Sequence, residues 1–144
     1  MYGVADTMGA VRGRIFEVSF DEYIGTVNGL FNFFEILGGL VLYFMLGTTE
    51  TKAQSCLGGT AYTFFFNGIF MIVSSFLSAT SAYYLPSIFY YVLFNGTGAL
   101  MYIFSSVGVV RESNEVGAPP VVGLMTGGMH AFHCAYSTYK NYYQ

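Results

Sequence analysis

Charge is what this chain has least of. Only 9% of its 144 residues are Asp, Glu, Lys or Arg, against about 25% in an ordinary soluble domain, and the stretch from Ala53 to Val110 carries none. So few ionised groups cannot coat a water-facing surface, which excludes a soluble globule. The five basic residues are dispersed and the net charge is −3, so there is no cationic stripe on which a nucleic acid could bind by counterion release, and nucleic acid is excluded as a partner. Cys56 and Cys134 are the only cysteines; they are expected at opposite ends of their segments, too far apart for an intramolecular disulfide. Tryptophan is absent. Its interfacial role falls to tyrosine, with Tyr83 and Tyr84 closing one apolar segment and Tyr136, Tyr139, Tyr142 and Tyr143 the last. Tyr90, Tyr91 and Tyr102 are placed deeper, where each hydroxyl needs a partner on another helix.

What is present is apolar: 54% hydrophobic residues, 15 of them Phe. Windows of about 20 residues, the length that crosses roughly 30 Å of hydrocarbon, predict four spans near 24–46, 57–79, 87–109 and 119–139. The breaks between them, "GTTETKAQS", "ATSAYYLPS" and "RESNEVGAPP", hold the charges and prolines expected of loops. Lipid permits only helices or closed barrels, and these runs are too evenly apolar for strands with alternating faces. The expected fold is an all-α membrane protein, a bundle of four transmembrane helices. Residues 1–22 are expected to form a cytosolic N-terminal segment, retained because no signal-peptide core is evident, with Ser19 and Glu22 at capping-box spacing before the first span. Residues 23–141 are expected to form the helical domain and 142–144 a short tail. Four spans put both termini on one side, and Arg12, Arg14 and Lys140 there against Lys52 and Arg111 opposite favour the cytosol.

Within "LFNFFEILGGLVLYFML", Glu35 is the one acid. A charged side chain near the bilayer centre costs about 2.5–3.5 kcal/mol on insertion scales and so faces a partner. If the first span starts near residue 24 and the fourth ends near 139, Glu35 lies about 16 Å and His130 about 13 Å in from the same side. Glu35, His130 and His133 are therefore expected to form an intramembrane polar contact. A protonated Glu35 bonded to Asn32, Asn67 or Asn95, or a proton-handling carboxylate in a wet cavity, stands as an alternative.

Small residues mark where helices can approach. Gly123, Gly127, Ala131 and Ala135 recur every four residues, Gly25 and Gly29 repeat the spacing, and Gly38 and Gly39 follow Glu35; all are expected at helix contacts, within the bundle or between copies. "HAFHC" could turn His130, His133 and Cys134 toward one cation, yet zinc wants four ligands and the chain has no other histidine, so no metal or cofactor is expected. "NGT" at Asn95 fits the glycosylation pattern but lies inside a span, out of reach of the enzyme. No nucleophile–base pair, phosphate loop or paired carboxylate appears, and no enzymatic activity is expected.

The segment "FFEILGGLVLYFML" resembles the first span of the myelin and lymphocyte protein (MAL) and plasmolipin group, where a glutamate precedes a glycine pair. "MHAFHCAYSTYK" resembles that group's fourth span at His133, Tyr136, Ser137 and Lys140, and "ALMYIFSSVGVV" its third. The chain thus resembles a MARVEL-domain protein from about residue 15 to 141. The resemblance implies four helices with cytosolic termini and a role in vesicle traffic, membrane apposition or lipid-ordered domains at the plasma or vesicle membrane. It also implies membrane lipids and other integral membrane proteins, or further copies of the chain, as partners. The second outer loop, "RESNEVGAPP", is short and lacks paired cysteines, which speaks against loop-mediated adhesion. Claudins and tetraspanins would need cysteines in their outer loops that are missing here. The strongest rival is a small proton-coupled transporter or channel-like subunit working through Glu35, although in that class the first span leads straight from the N-terminus.

Overall fold

A computed structural model describes residues 25–48, 51–114 and 116–143, and every regular element among them is helical. The expected segment 1–22 and the Ser19–Glu22 capping box lie outside the described residues. Helix α1 spans Val27–Met45 and opens on Thr26, whose hydroxyl accepts the Gly29 N–H at 3.1 Å. Helix α2 spans Lys52–Leu77. It starts five residues before the predicted 57 because Thr51 and Gln54 form a reciprocal capping box: each side chain accepts the other's backbone N–H at 3.2 Å, which satisfies two of the orphan donors at the helix start. The predicted break "ATSAYYLPS" is itself helical. Ser78 caps a short helix α3, Ala79–Tyr84, and Pro86 sits in a 3-10 turn over Leu85–Ser87.

Helix α4 spans Phe89–Ser113 and ends at Asn114, which takes the left-handed conformation with φ 53°, a region asparagine tolerates better than most residues. It therefore runs four residues past the predicted end at 109. The added turn brings Glu112 to the start of α2, where its Oε2 accepts the Ala53 N–H at 3.0 Å. Helix α5 spans Ala118–Tyr143, with Pro119 and Pro120 in the first turn, where a missing N–H has no intrahelical partner to lose. Helices α1, α2 and α4 are long and apolar enough to cross a membrane. Helix α5 has the length, 26 residues, but carries glycines, histidines and hydroxyls where the others carry Leu, Ile and Phe.

The four long helices pack as a ring, α1 against α2 and α5, and α4 against α2 and α5. Neighbouring ends meet as an up-and-down bundle requires: Ser137 near the end of α5 donates to Asn28 near the start of α1 at 3.3 Å, and Asn141 donates to the Pro86 carbonyl at 2.8 Å. Each helix turns one line of residues inward at three- and four-residue steps. On α1 the line is Asn28, Asn32, Glu35, Gly39 and Leu42, continued by Leu46 at its C-cap; on α5 it is Gly123, Gly127, His130, His133 and Ser137. The centre is thus unusually polar and the rim apolar. Glu35 is 3% exposed and His133 0%, whereas Phe44, Phe104 and Phe132 are more than 70% exposed, the inverse of a protein folded in water.

Candidate functional site: a buried carboxylate between two imidazoles

Glu35 reaches the bundle centre because it stands three residues after Asn32 and four before Gly39 on the inner line of α1. Its Oε1 lies 2.8 Å from Nδ1 of His133 and 3.4 Å from Nδ1 of His130. Along the helix axes Glu35 lies about 12 Å from the start of α1, His133 about 15 Å and His130 about 20 Å from the end of α5. Predicted ends at 24 and 139 pair the carboxylate with His130; α1 starting at 27 and α5 reaching 143 move the closer contact one turn along, to His133.

The imidazoles are held on their far sides as well. Nδ1 of His133 faces Glu35 and its Nε2 lies 3.1 Å from the Tyr91 hydroxyl; the tautomer that gives its Nδ1–H to the carboxylate leaves Nε2 to accept the hydroxyl hydrogen. Its ring stacks on Phe31 at 5.2 Å and meets the Tyr91 ring edge-on. His130 Nδ1 faces two acceptors, Glu35 and Asn95 Oδ1, the latter at 3.0 Å. Asn95 is oriented by its own amide, which donates to the Tyr91 carbonyl at 3.1 Å. The Tyr102 ring stacks on His130 with centroids 5.5 Å apart. Gly98 makes room for that ring: a Cβ there would stand 3.0 Å from His130 Nδ1 and 3.0 Å from Phe64. Three helices, α1, α4 and α5, therefore meet in one hydrogen-bonded cluster. Glu35 Oε2, His130 Nε2 and the Tyr102 hydroxyl have no hydrogen-bond partner among the described residues.

Of the other predicted positions, Gly123 and Gly127 face the interior. A Cβ on Gly123 would strike Ser106 and one on Gly127 would stand 3.0 Å from Tyr102 and Ile103. Gly29 is buried, Gly39 lies against Tyr102 and Phe65, and Gly38 against Thr126. Ala131 and Ala135 do not share that contact: both are exposed on the outer face of α5. The reason is rotation, since each four-residue step overshoots a 3.6-residue turn by about 40° and the stripe leaves the interface after two steps. Gly25 is an exposed turn residue ahead of α1. Cys134 turns to the Val92 carbonyl at 3.5 Å, away from the two histidines. Tyr90, expected to be deep, is 54% exposed on the rim; Tyr91, the next residue, takes the inward position. Asn67 bonds back to the Thr63 carbonyl and does not reach Glu35. The role of Tyr91 was hidden because it depends on which of two adjacent tyrosines falls on the three-and-four line with Asn95 and Tyr102.

Comparison of the chain with protein-family models, curated proteins and solved structures returns no match.

Proposed function

We propose that this chain is a non-enzymatic membrane protein whose four long helices all cross the bilayer, with both termini cytosolic, and that it organises membrane domains or vesicle traffic in the manner its resemblance to MARVEL-domain proteins implies. The observation that carries the reading is the inverted bundle: an acid, two histidines and a row of amides and hydroxyls inside, phenylalanines outside. In hydrocarbon a helix as polar as α5 is tolerated when its polar line faces protein; His130, His133 and Ser137 all do. The cluster at Glu35 then works as an interhelical clasp, and the lipid-facing rim is what acts on other membrane components, including further copies of the chain, at the plasma or vesicle membrane.

The test is sorting. In giant vesicles drawn from cells and separated into ordered and disordered lipid phases, the tagged protein is expected to concentrate in the ordered phase, and Glu35→Gln, which keeps shape and polarity, to sort with it. Uniform distribution of the parent counts against the reading.

The unpartnered Oε2 of Glu35, Nε2 of His130 and hydroxyl of Tyr102 favour a second reading, in which the same cluster handles protons in a small carrier. Proteoliposomes separate the two: proton-coupled flux in the parent that Glu35→Gln abolishes establishes the carrier.

A further inference from the structure

A second polar feature lies at the end of the bundle, well away from Glu35. There a cavity of about 400 Å³ opens between the start of α1, the α3 and 3-10 segment and the end of α5, lined by Thr26, Asn28, Tyr83, Ser87, Lys140 and Asn141. Its walls are linked to one another. Asn141 is tied to the Pro86 carbonyl and Ser137 to Asn28, so hydrogen bonds join the three segments that line it. Among the described residues the lining carries an ammonium, hydroxyls and amides and no carboxylate, and no ion pair to Lys140 is formed. Around it Tyr83, Tyr84, Tyr142 and Tyr143 project outward, each more than half exposed, as aromatic side chains do at headgroup level.

We propose that this cavity binds the phosphate of an anionic phospholipid headgroup, with Lys140 supplying the charge and Ser87 and Asn141 donating to the phosphate oxygens. The proposal rests on the membrane reading above, because only insertion of α5 brings Lys140 to headgroup depth. A lysine serves phosphate as a point charge with three donors. At a membrane surface one such charge changes anionic-lipid affinity by about fivefold, and the hydroxyls and amide add direction. The half-open site beside exposed tyrosines admits a headgroup whose acyl chains stay in the bilayer along the apolar rim.

Native mass spectrometry of the full chain, released from nanodiscs holding equal amounts of phosphatidylserine and phosphatidylcholine, tests this. The parent is expected to retain phosphatidylserine preferentially, Lys140→Gln to lose about fivefold of that preference, and Lys140→Arg and Lys52→Gln, at the far end of the bundle, to keep it. Equal retention of the two lipids by the parent overturns the site without any variant. An equal loss in Lys52→Gln shows general charge attraction and overturns it too. Displacement of the lipid by millimolar inorganic phosphate moves the site to a soluble anion and overturns the lipid assignment. Failure of the parent to enter nanodiscs overturns this proposal together with the membrane reading, whereas entry without selectivity overturns the lipid site alone.

Discussion

Glu35 on α1 and His133 on α5, 98 residues apart in the chain, share a hydrogen bond of 2.8 Å at positions less than 4% exposed. A buried carboxylate that lost its donor would be left desolvated and unpaired, so the pair fixes α1 against α5 in rotation and in register. Because Nε2 of the same imidazole holds Tyr91, the bond extends to α4 and clamps three of the four ring helices at one level.

Glu35→Leu removes the acceptor and strands Nδ1 of His133 in an apolar setting, while His130 keeps Asn95. Stability in bilayers is expected to fall by about 1–3 kcal/mol, read by reversible unfolding in mixed micelles. Glu35→Gln keeps an acceptor oxygen at the same reach and is expected to lose less than half as much. Equal losses in the two variants show that charge, and not hydrogen-bond geometry, holds the clasp.

Tyr91→Phe deletes one hydroxyl and nothing else from the chain of bonds. It is expected to cost about 0.5–1.5 kcal/mol in the parent and clearly less in Glu35→Leu, where His133 is no longer fixed from the other side. A double-mutant cycle should therefore return a coupling of at least about 0.5 kcal/mol. Additive losses mean that Tyr91 and Glu35 touch the same ring without acting on each other.

The four long helices were legible because runs of apolar residues are long and charge sits only between them. Their ends were not, because a reciprocal cap at Thr51 and Gln54 and a left-handed Asn114 extend α2 and α4 beyond the apolar windows. Glu35 and both histidines stood out as rare ionisable groups in apolar sequence. What remained hidden was facing. A fixed four-residue stripe links Gly123 and Gly127 to Ala131 and Ala135, whereas the inward line of a 3.6-residue helix drifts to His130, His133 and Ser137. The same geometry chooses Tyr91 over Tyr90, a choice that single-residue chemistry does not reveal.

Gly127 and Gly128 are neighbours with opposite surroundings. A Cβ at 127 would press on Tyr102, Ile103 and the Ala99 carbonyl at 3.0–3.3 Å, while one at 128 would meet nothing within 4 Å. Gly127→Leu is thus expected to push α5 off α4, with a loss of about 1–3 kcal/mol or failure to fold, and Gly128→Leu to leave yield and melting temperature unchanged. A fully stable Gly127→Leu places that helix face against lipid; a damaged Gly128→Leu points to a contact with another chain on the outer face.

Lys140 stands at the end of the bundle that holds the start of α1, while Lys52 and Arg111 stand at the opposite end, where Glu112 caps α2. With Arg12 and Arg14 preceding α1 in the sequence, three basic residues face two, and an excess of Lys and Arg marks the cytosolic side. Thr48 is exposed between α1 and α2, and Tyr143 is exposed at the end of α5, so each can report its side without disturbing packing. After Cys56 and Cys134 are replaced by alanine, Thr48→Cys is expected to react with a membrane-impermeant maleimide on intact cells, and Tyr143→Cys only after the membrane is opened. The opposite pattern inverts the bundle. Labelling of both from outside shows that the two reporters share a side, which would mean that one of α2, α4 and α5, the three long helices between them, does not cross.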